Sequence, residues 1–298
     1  MFPECVTCLI KQSEYYLTSL CENEDAVNEI TLDLIRDMAS AEQSTKKAPI
    51  LPEFLNNAIE ARCSNKTKIQ EDKTLQNARM LELANEFRSD ISRSINPLQR
   101  ALQYTLAGNR IFPNNKDGNE LMEFMVDNSR MVPVMDDSGK LFNRIRSAKT
   151  ILYVGNVSGE IVIDKLFIEL LNHPGMHFVV RNKHVLNEVT LEDAEETGMD
   201  HIAEIVTIPS DFQIPDQMYK RSFFYELYQK ADLIISKGHN NFWKFQQEKT
   251  KDVFFLLSGQ CQVVNKLLKI EPNDTVVVYN KDFARKHNRM NVEESLCG

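Results

Sequence analysis

Six short apolar runs punctuate the second half of the chain, and segments of helical spacing separate them. The runs lie at 151–154, 177–180, 205–208, 233–235, 253–257 and 276–279. Continuous Val/Ile/Leu runs fit strands buried on both faces. Their alternation with helices implies βαβ units, right-handed crossovers and a parallel sheet. The expected fold class is therefore α/β, a three-layer α/β/α parallel sheet of Rossmann-like type spanning residues 149–298. In open sheets of this kind ligands sit outside the carboxyl ends of the strands, so the βα turns are where chemistry is expected.

The first half, residues 1–148, lacks strand patterning and predicts a helical subdomain. Val27, Ile30, Leu34, Ile35 and Met38 form one amphipathic stripe, and Phe54, Leu55, Ala58 and Ile59 form another. Met80, Leu83, Ala84, Phe87 and Ile91 mark one longer helix from about Thr74. Asn96-Pro97 supplies an N-cap and a first helical residue, and Gly108 a stop.

The composition, 42% hydrophobic and 26% charged over 298 residues, is that of a folded globular protein. A net charge of −8 argues against a nucleic-acid or anionic-membrane partner, because phosphate backbones are bound by Lys and Arg. No apolar run approaches the length of a membrane span, and the N-terminus lacks the pattern of a signal peptide. Six scattered cysteines do not form a disulfide framework, which makes a reducing cytoplasm the expected location. Cys5-Val6-Thr7-Cys8 has metal or redox spacing, but no second ligand pair follows, and two packed thiols at a helix start explain it better.

The turns carry the candidate chemistry. After the first run come Asn156, Ser158, Gly159 and Glu160 at a helix start, where free N–H groups favour an anion. After the second come Arg181, Lys183, Asn187 and Glu188; the fourth is Lys237-Gly238-His239-Asn240-Asn241. Lys237 with Asn241 offers a grip on phosphate, and Arg181 and Lys183 add positive charge. Solvated side chains at loop ends account for the last two just as well. His239 titrates near neutral pH, and Trp243 either packs in the core or lines a pocket.

Four of these segments resemble one family. Ser158-Gly159-Glu160-Ile161-Val162-Ile163-Asp164 resembles the D-N-x-G-E-I-V-x-D motif of the damage-control phosphatases, also labelled acidic-residue methyltransferase-like. Ala107-Gly108-Asn109-Arg110-Ile111 resembles A-G-N-x-I-D, with Phe112 in place of the Asp. Val185-Leu186-Asn187-Glu188-Val189-Thr190 resembles P-x-L-N-D-V-T, and Ala231 through Phe242 closely matches A-D-L-I-I-S-K-G-x-G-N-F/Y. Two further turns depart: Pro209-Ser210-Asp211 lacks the family glycines, and Leu256-Leu257-Ser258-Gly259-Gln260-Cys261 lacks both lysines of L-L-K-x-K-C.

The resemblance implies a metal-dependent phosphatase acting on small phosphate esters, with a divalent metal (Mn, Mg, Co or Ni) held by the D-N pair and the Asp of L-N-D. Here those places are Asn156, Val157 and Glu188. A hard cation wants anionic oxygen. Asn156 offers a neutral carbonyl, Val157 nothing, and Glu188 a carboxylate on a longer arm. The residues carried over are Asn156 and Glu188 for metal and catalysis, Lys237 for catalysis, and Asn109, Ser158, Arg181, Asn187, Lys237, Gly238 and Asn241 for substrate. Three functions follow: hydrolysis of a small phosphorylated metabolite at a remodelled metal site, ligand binding and regulation without catalysis, or, third, a scaffold with an empty site that acts by protein contacts. No Gly-rich cofactor turn of the usual pattern supports methyl transfer.

Overall fold

The computed structural model describes residues 3–21, 23–40, 51–63, 67–111, 117–209 and 222–283. Phe112, Ser210 and Asp211 lie outside them, as do the side chains of Met38 and Phe54. Among the described residues the chain runs α1 (Pro3–Leu20), α2 (Glu24–Ser40), α3 (Leu51–Arg62), α4 (Thr67–Glu82), α5 (Ala84–Arg93), α6 (Pro97–Gly108), α7 (Gly118–Ser129), β1 (Met135–Asp136) and α8 (Ser138–Ser147). It continues β2 (Ile151–Val154), α9 (Glu160–Leu171), β3 (Met176–Arg181), α10 (Leu191–Thr197), β4 (Glu204–Ile208), α11 (Phe223–Lys230), β5 (Leu233–Lys237), α12 (Gly238–Phe245), β6 (Asp252–Ser258), α13 (Gln262–Leu268) and β7 (Thr275–Tyr279).

One sheet has the order β1-β7-β6-β5-β2-β3-β4, so the α/β expectation holds. All pairings are parallel except β6 with β7, which is antiparallel. The expected all-parallel sheet thus turns back at its last long strand. A helix between two strands permits either direction, and β-patterning carries no direction of its own. The two-residue β1 is too short to leave a pattern.

Why the strands read as unbroken apolar runs is plain from the two faces. Ile151 and Tyr153 of β2 join one core cluster while Leu152 and Val154 join the other. The same split divides Phe254 and Leu256 from Val253, Phe255 and Leu257 on β6. Helices α4 to α10 supply the first cluster, and α11 to α13 the second, which gives the three layers. Helices α1 to α3 form a separate small cluster that includes Leu186. The expected long helix over residues 74–91 is two helices, α4 and α5, meeting at Leu83. Asn96 caps α6 as expected, accepting from the Gln99 N–H at 3.2 Å.

Polar contacts dock α4 on the sheet. Lys73 is buried and its ammonium lies 2.8 Å from Asp193 at the start of α10. Asp193 also accepts from Asn77 Nδ2 and Ser158 Oγ, each at 2.8 Å, and Asn77 Oδ1 accepts from the Gly159 N–H at 2.7 Å. The turn after β2 is therefore pinned from behind by α4 and α10. Burial would raise the Asp193 carboxyl, but Lys73 and its hydrogen bonds outweigh that and hold it below the usual carboxylate range. Removing one partner of a buried pair leaves an uncompensated charge. Lys73→Ala is expected to cost about 3–5 kcal/mol in urea unfolding. A loss under about 1 kcal/mol, the size of a surface pair, would show that the pair does not hold the turn.

Candidate functional site

The site forms where β2 and β5 end side by side. Strand β2 stops at Val154, and Gly155, Asn156, Val157, Ser158 and Gly159 make the turn into α9. Gly159 has φ +79°, a conformation that suits glycine. Gly238 has φ +77° at the end of β5, and a Cβ there would come within 2.2 Å of Asn156 Oδ1. The Lys-Gly turn therefore has no side chain because the Asn156 amide occupies that space. The other end of that amide donates from Nδ2 to Glu160 Oε1 at 2.8 Å.

Beneath it lies a fully buried charged node. Lys237 Nζ reaches the Thr105 carbonyl at 2.8 Å, Asp164 Oδ1 at 2.8 Å and Glu160 Oε2 at 3.1 Å. Tyr153 also donates to Asp164 Oδ1, at 2.8 Å. Burial would lower the lysine's pKa, but Asp164 and Glu160 outweigh it and hold it above the ordinary value. Burial pushes both carboxyls up, against the pull of Lys237. The ammonium thus makes two hydrogen bonds inside the protein, to Thr105 and Asp164, and an ion pair with Glu160, whose Oε2 and the second Asp164 oxygen, Oδ2, are buried atoms without a hydrogen-bond partner.

A second buried group stands on the other side. Arg181, at the end of β3, bonds Glu188 through Nε and donates from Nη2 to Asn241 Oδ1 at 2.6 Å. Glu188 also accepts from Asn240 at 3.2 Å. Asn241 Nδ2 donates to the carbonyls of Gly155 and Lys237 at 2.8 Å each, tying the β2 and β5 ends together. Burial would raise the Glu188 carboxyl, but Arg181 and then Lys244 pull it below the usual range.

Between these groups opens a small cleft of about 50 Å³, room for a few waters or one small group. Its walls include Asn109, Asn156, Glu160, Asn187, Gly238 and Asn240, and among the described residues no lysine or arginine lines it. Helix α1 roofs it with Gln12 and Tyr16, whose hydroxyl donates to Asn187 Oδ1 at 3.0 Å. Asn187 Nδ2 and Asn109 Oδ1 are buried atoms with no protein partner, one donor and one acceptor. Half-buried His239 also borders the cleft, and burial lowers its pKa against the pull of Glu188.

The structure thus brings Asn109, Asn156, Asn187 and Gly238 to one cleft, with Glu188 beside it through Asn240. Ser158 faces Asp193 instead, behind the turn. Lys237, Arg181 and Asn241 form the bonded layer beneath, and Lys183 is exposed. Sequence reasoning missed Thr105 and Tyr16; Gln12 matches the Gln or Arg that follows C-x-x-C in the family that the chain resembles, but no role for it followed from the sequence. Thr105 acts through its backbone carbonyl, which no side-chain pattern reveals, and Tyr16 looks like any member of an amphipathic stripe.

Comparison with known proteins identifies the family. The model of the damage-control phosphatase ARMT1-like domain matches residues 1–276. An uncharacterised protein of Methanocaldococcus jannaschii is 26% identical over 297 residues, covering 93% of this chain and 94% of its own. A damage-control phosphatase of Archaeoglobus fulgidus is 23% identical over 92% of this chain and 97% of its own. One from Pyrococcus horikoshii is 28% identical over 151 residues, 49% of this chain and 52% of its own. The crystal structure of a DUF89 family protein from Pyrococcus horikoshii superposes with a TM-score of 0.77 at 22% identity, over 94% of this chain and 99% of that one. The chain belongs to the damage-control phosphatase ARMT1-like family.

That family is one of metal-dependent phosphatases, so the donor set must be tested against a divalent cation. Asn156 spends its amide N–H on Glu160 and packs its carbonyl on Gly238. Val157 has no donor side chain and pairs through its backbone with Glu188. The Glu188 carboxylate is held by Arg181 and Asn240. Among the described residues no group of three or more His, Cys, Asp or Glu side chains is arranged to hold a metal ion. These donors do not fit a tight site for a hard cation.

Because Glu188 titrates below its ordinary range in the folded protein, it adds stability above the unfolded carboxylate pKa, and that stability is lost as pH falls through the folded value. Glu188→Gln is expected to lower stability at pH 7 and to flatten its decline between about pH 5 and pH 3. Denaturant unfolding across that range checks it; an unchanged acid limb would show that the Arg181–Glu188 pair does not control it.

Proposed function

We propose that this protein binds a small phosphorylated metabolite in the amide-lined cleft and has lost most or all of the family's hydrolysis. The observation that carries this reading is the hydrogen bond from Asn156 Nδ2 to Glu160 Oε1 at 2.8 Å. An amide donor there satisfies one oxygen of the Glu160 carboxylate from inside the protein. Two carboxylates at that distance would instead repel and call for a cation between them.

Transfer of a phosphoryl group depends on stabilising charge spread over its oxygens. The family supplies that charge with a metal. Among the described residues the cleft walls hold no cationic lysine or arginine, and the Lys237 ammonium is turned inward, bonded to Thr105 and Asp164 and paired with Glu160. What remains suits recognition. Asn187 Nδ2 is an unused donor for a phosphate or hydroxyl oxygen, and Asn109 Oδ1 an unused acceptor for a hydroxyl. Lys237 acts in this reading as a positioning residue: it pairs with Glu160 and Asp164, offsets one of their two charges, and fixes the floor of the cleft. Among the described residues no helix is long and apolar enough to cross a membrane, and we place the protein in the cytoplasm, where small phosphate esters are found.

The test is turnover of p-nitrophenyl phosphate and a panel of sugar phosphates by metal-stripped protein given Mn²⁺, Co²⁺, Ni²⁺ or Mg²⁺, beside thermal shifts with the same esters. The wild type is expected to show little turnover and a raised Tm with at least one ester. Asn156→Asp with Val157→Asn is expected to raise metal-dependent turnover at least tenfold. Wild-type turnover in the ordinary enzyme range, about 1–10³ s⁻¹, would overturn the reading in favour of a remodelled working metal site.

A further inference from the structure

The two thiols at the far ends of the roof helices lie in contact. Cys21 follows α1 and Cys63 follows α3, 42 positions apart in sequence, and their sulfurs are 3.3 Å from each other. Each backbone N–H closes the last turn of its helix, Cys21 onto the Leu17 carbonyl and Cys63 onto the Ile59 carbonyl, both at 2.9 Å. The pair is thus fixed by two helix ends. A disulfide has sulfurs about 2.05 Å apart, so little over about 1 Å of approach separates this contact from a bond. Cys63 is buried and Cys21 half-buried.

We propose that Cys21 and Cys63 form a reversible disulfide with a low-molecular-weight disulfide such as oxidised glutathione, and that the bond locks the α1–α3 roof over the cleft. The half-buried Cys21 thiolate attacks one sulfur of the small disulfide, whose S–S bond breaks and releases one thiol. The Cys63 thiolate then attacks the Cys21 sulfur of the mixed disulfide and releases the second thiol. The two cysteines are oxidised, the small disulfide is reduced to two thiols, and the two cysteine protons end on those thiols.

The consequence for the cleft follows from what the roof holds. Tyr16 of α1 bonds Asn187, and Asn56 of α3 accepts from the Leu186 N–H at 3.2 Å. Leu186 has φ +48°, costly for a branched apolar residue, and packs in the α1–α3 cluster. The Leu186-Asn187-Glu188 turn therefore keeps its shape only while α1 and α3 stay docked. A covalent link between the two helices removes from the unfolded chain the freedom of the loop that it closes. This inference stands on the thiol geometry and does not depend on the proposed ligand.

The test uses the full wild-type chain in glutathione buffers of stepped redox ratio, followed by thiol trapping, non-reducing peptide mass spectrometry and thermal melts. A Cys21–Cys63 cross-linked peptide, 2 Da lighter than the two thiol peptides, is expected as the first link formed. It should be reversed by dithiothreitol and accompanied by a rise in Tm. Cys21→Ser is expected to melt like the reduced wild type and to gain nothing on oxidation. No Cys21–Cys63 peptide in the most oxidising buffer overturns the proposal. So does a dominant link through Cys5, Cys8, Cys261 or Cys297, or a cross-linked form that melts no higher than the reduced one.

Discussion

One ammonium group organises the edge of this molecule where β2 and β5 end. Lys237 leaves the end of β5 and plunges between α6 and α9, where a backbone carbonyl and two carboxylates receive it. A buried lysine without such partners would be very costly, and two buried carboxylates without it would be no better. Each therefore demands the other. The demand fixes the angle of α9 against β2, sets Thr105 at its place on α6 and holds the strand end where Gly238 can admit Asn156. The cleft exists in its present form because this node does.

The node also explains why the amide at position 156 matters more than a change of one atom suggests. One lysine already faces two carboxylates. A third carboxylate at 156 would leave negative charge in excess in a region of low dielectric, where charges interact far more strongly than in water. Such an excess is a reason to bind a cation. With Asn156 the excess is smaller and one Glu160 oxygen is already satisfied. On the opposite wall Arg181 does for Glu188 what a metal would do for a ligand carboxylate. Protein groups thus meet part of the charge at the site, while Glu160 Oε2, Asp164 Oδ2 and Arg181 Nη1 remain without a hydrogen-bond partner.

Much of this was legible in the sequence, for definite reasons. Val/Ile/Leu runs reported five long parallel strands because both faces of the sheet are covered. The turn after β2 stood out because small and polar residues interrupt a buried run. The direction of β7 was not legible, since α13 connects β6 to it without stating which way it runs. Lys237 drew attention as a phosphate grip because it sits in a Lys-Gly turn. Its length and the position of α9 send it inward instead, and a sequence does not show where a four-carbon arm ends. The break between α4 and α5 at Leu83 was hidden because the apolar spacing continues through it. The roof's position was hidden: Gln12 and Tyr16 come from the first helix, and Tyr16 bonds Asn187, more than half the chain away.

That last point bears on how the cleft is maintained. Its floor is ionic and buried, and it is held by the same contacts that fold the sheet. Its roof rests on a small separate cluster of α1, α2 and α3 that shares Leu186 with the turn carrying Asn187. Local openings of a protein follow such divisions, with small clusters opening at lower cost than a central core. Loss of the roof would release Asn187 from Tyr16 and Leu186 from its unfavourable backbone conformation, while Lys237, Glu160 and Asp164 stayed in place. The fold therefore separates the part that must be rigid for any chemistry from the part that governs access. It is the second part that carries a pair of touching thiols.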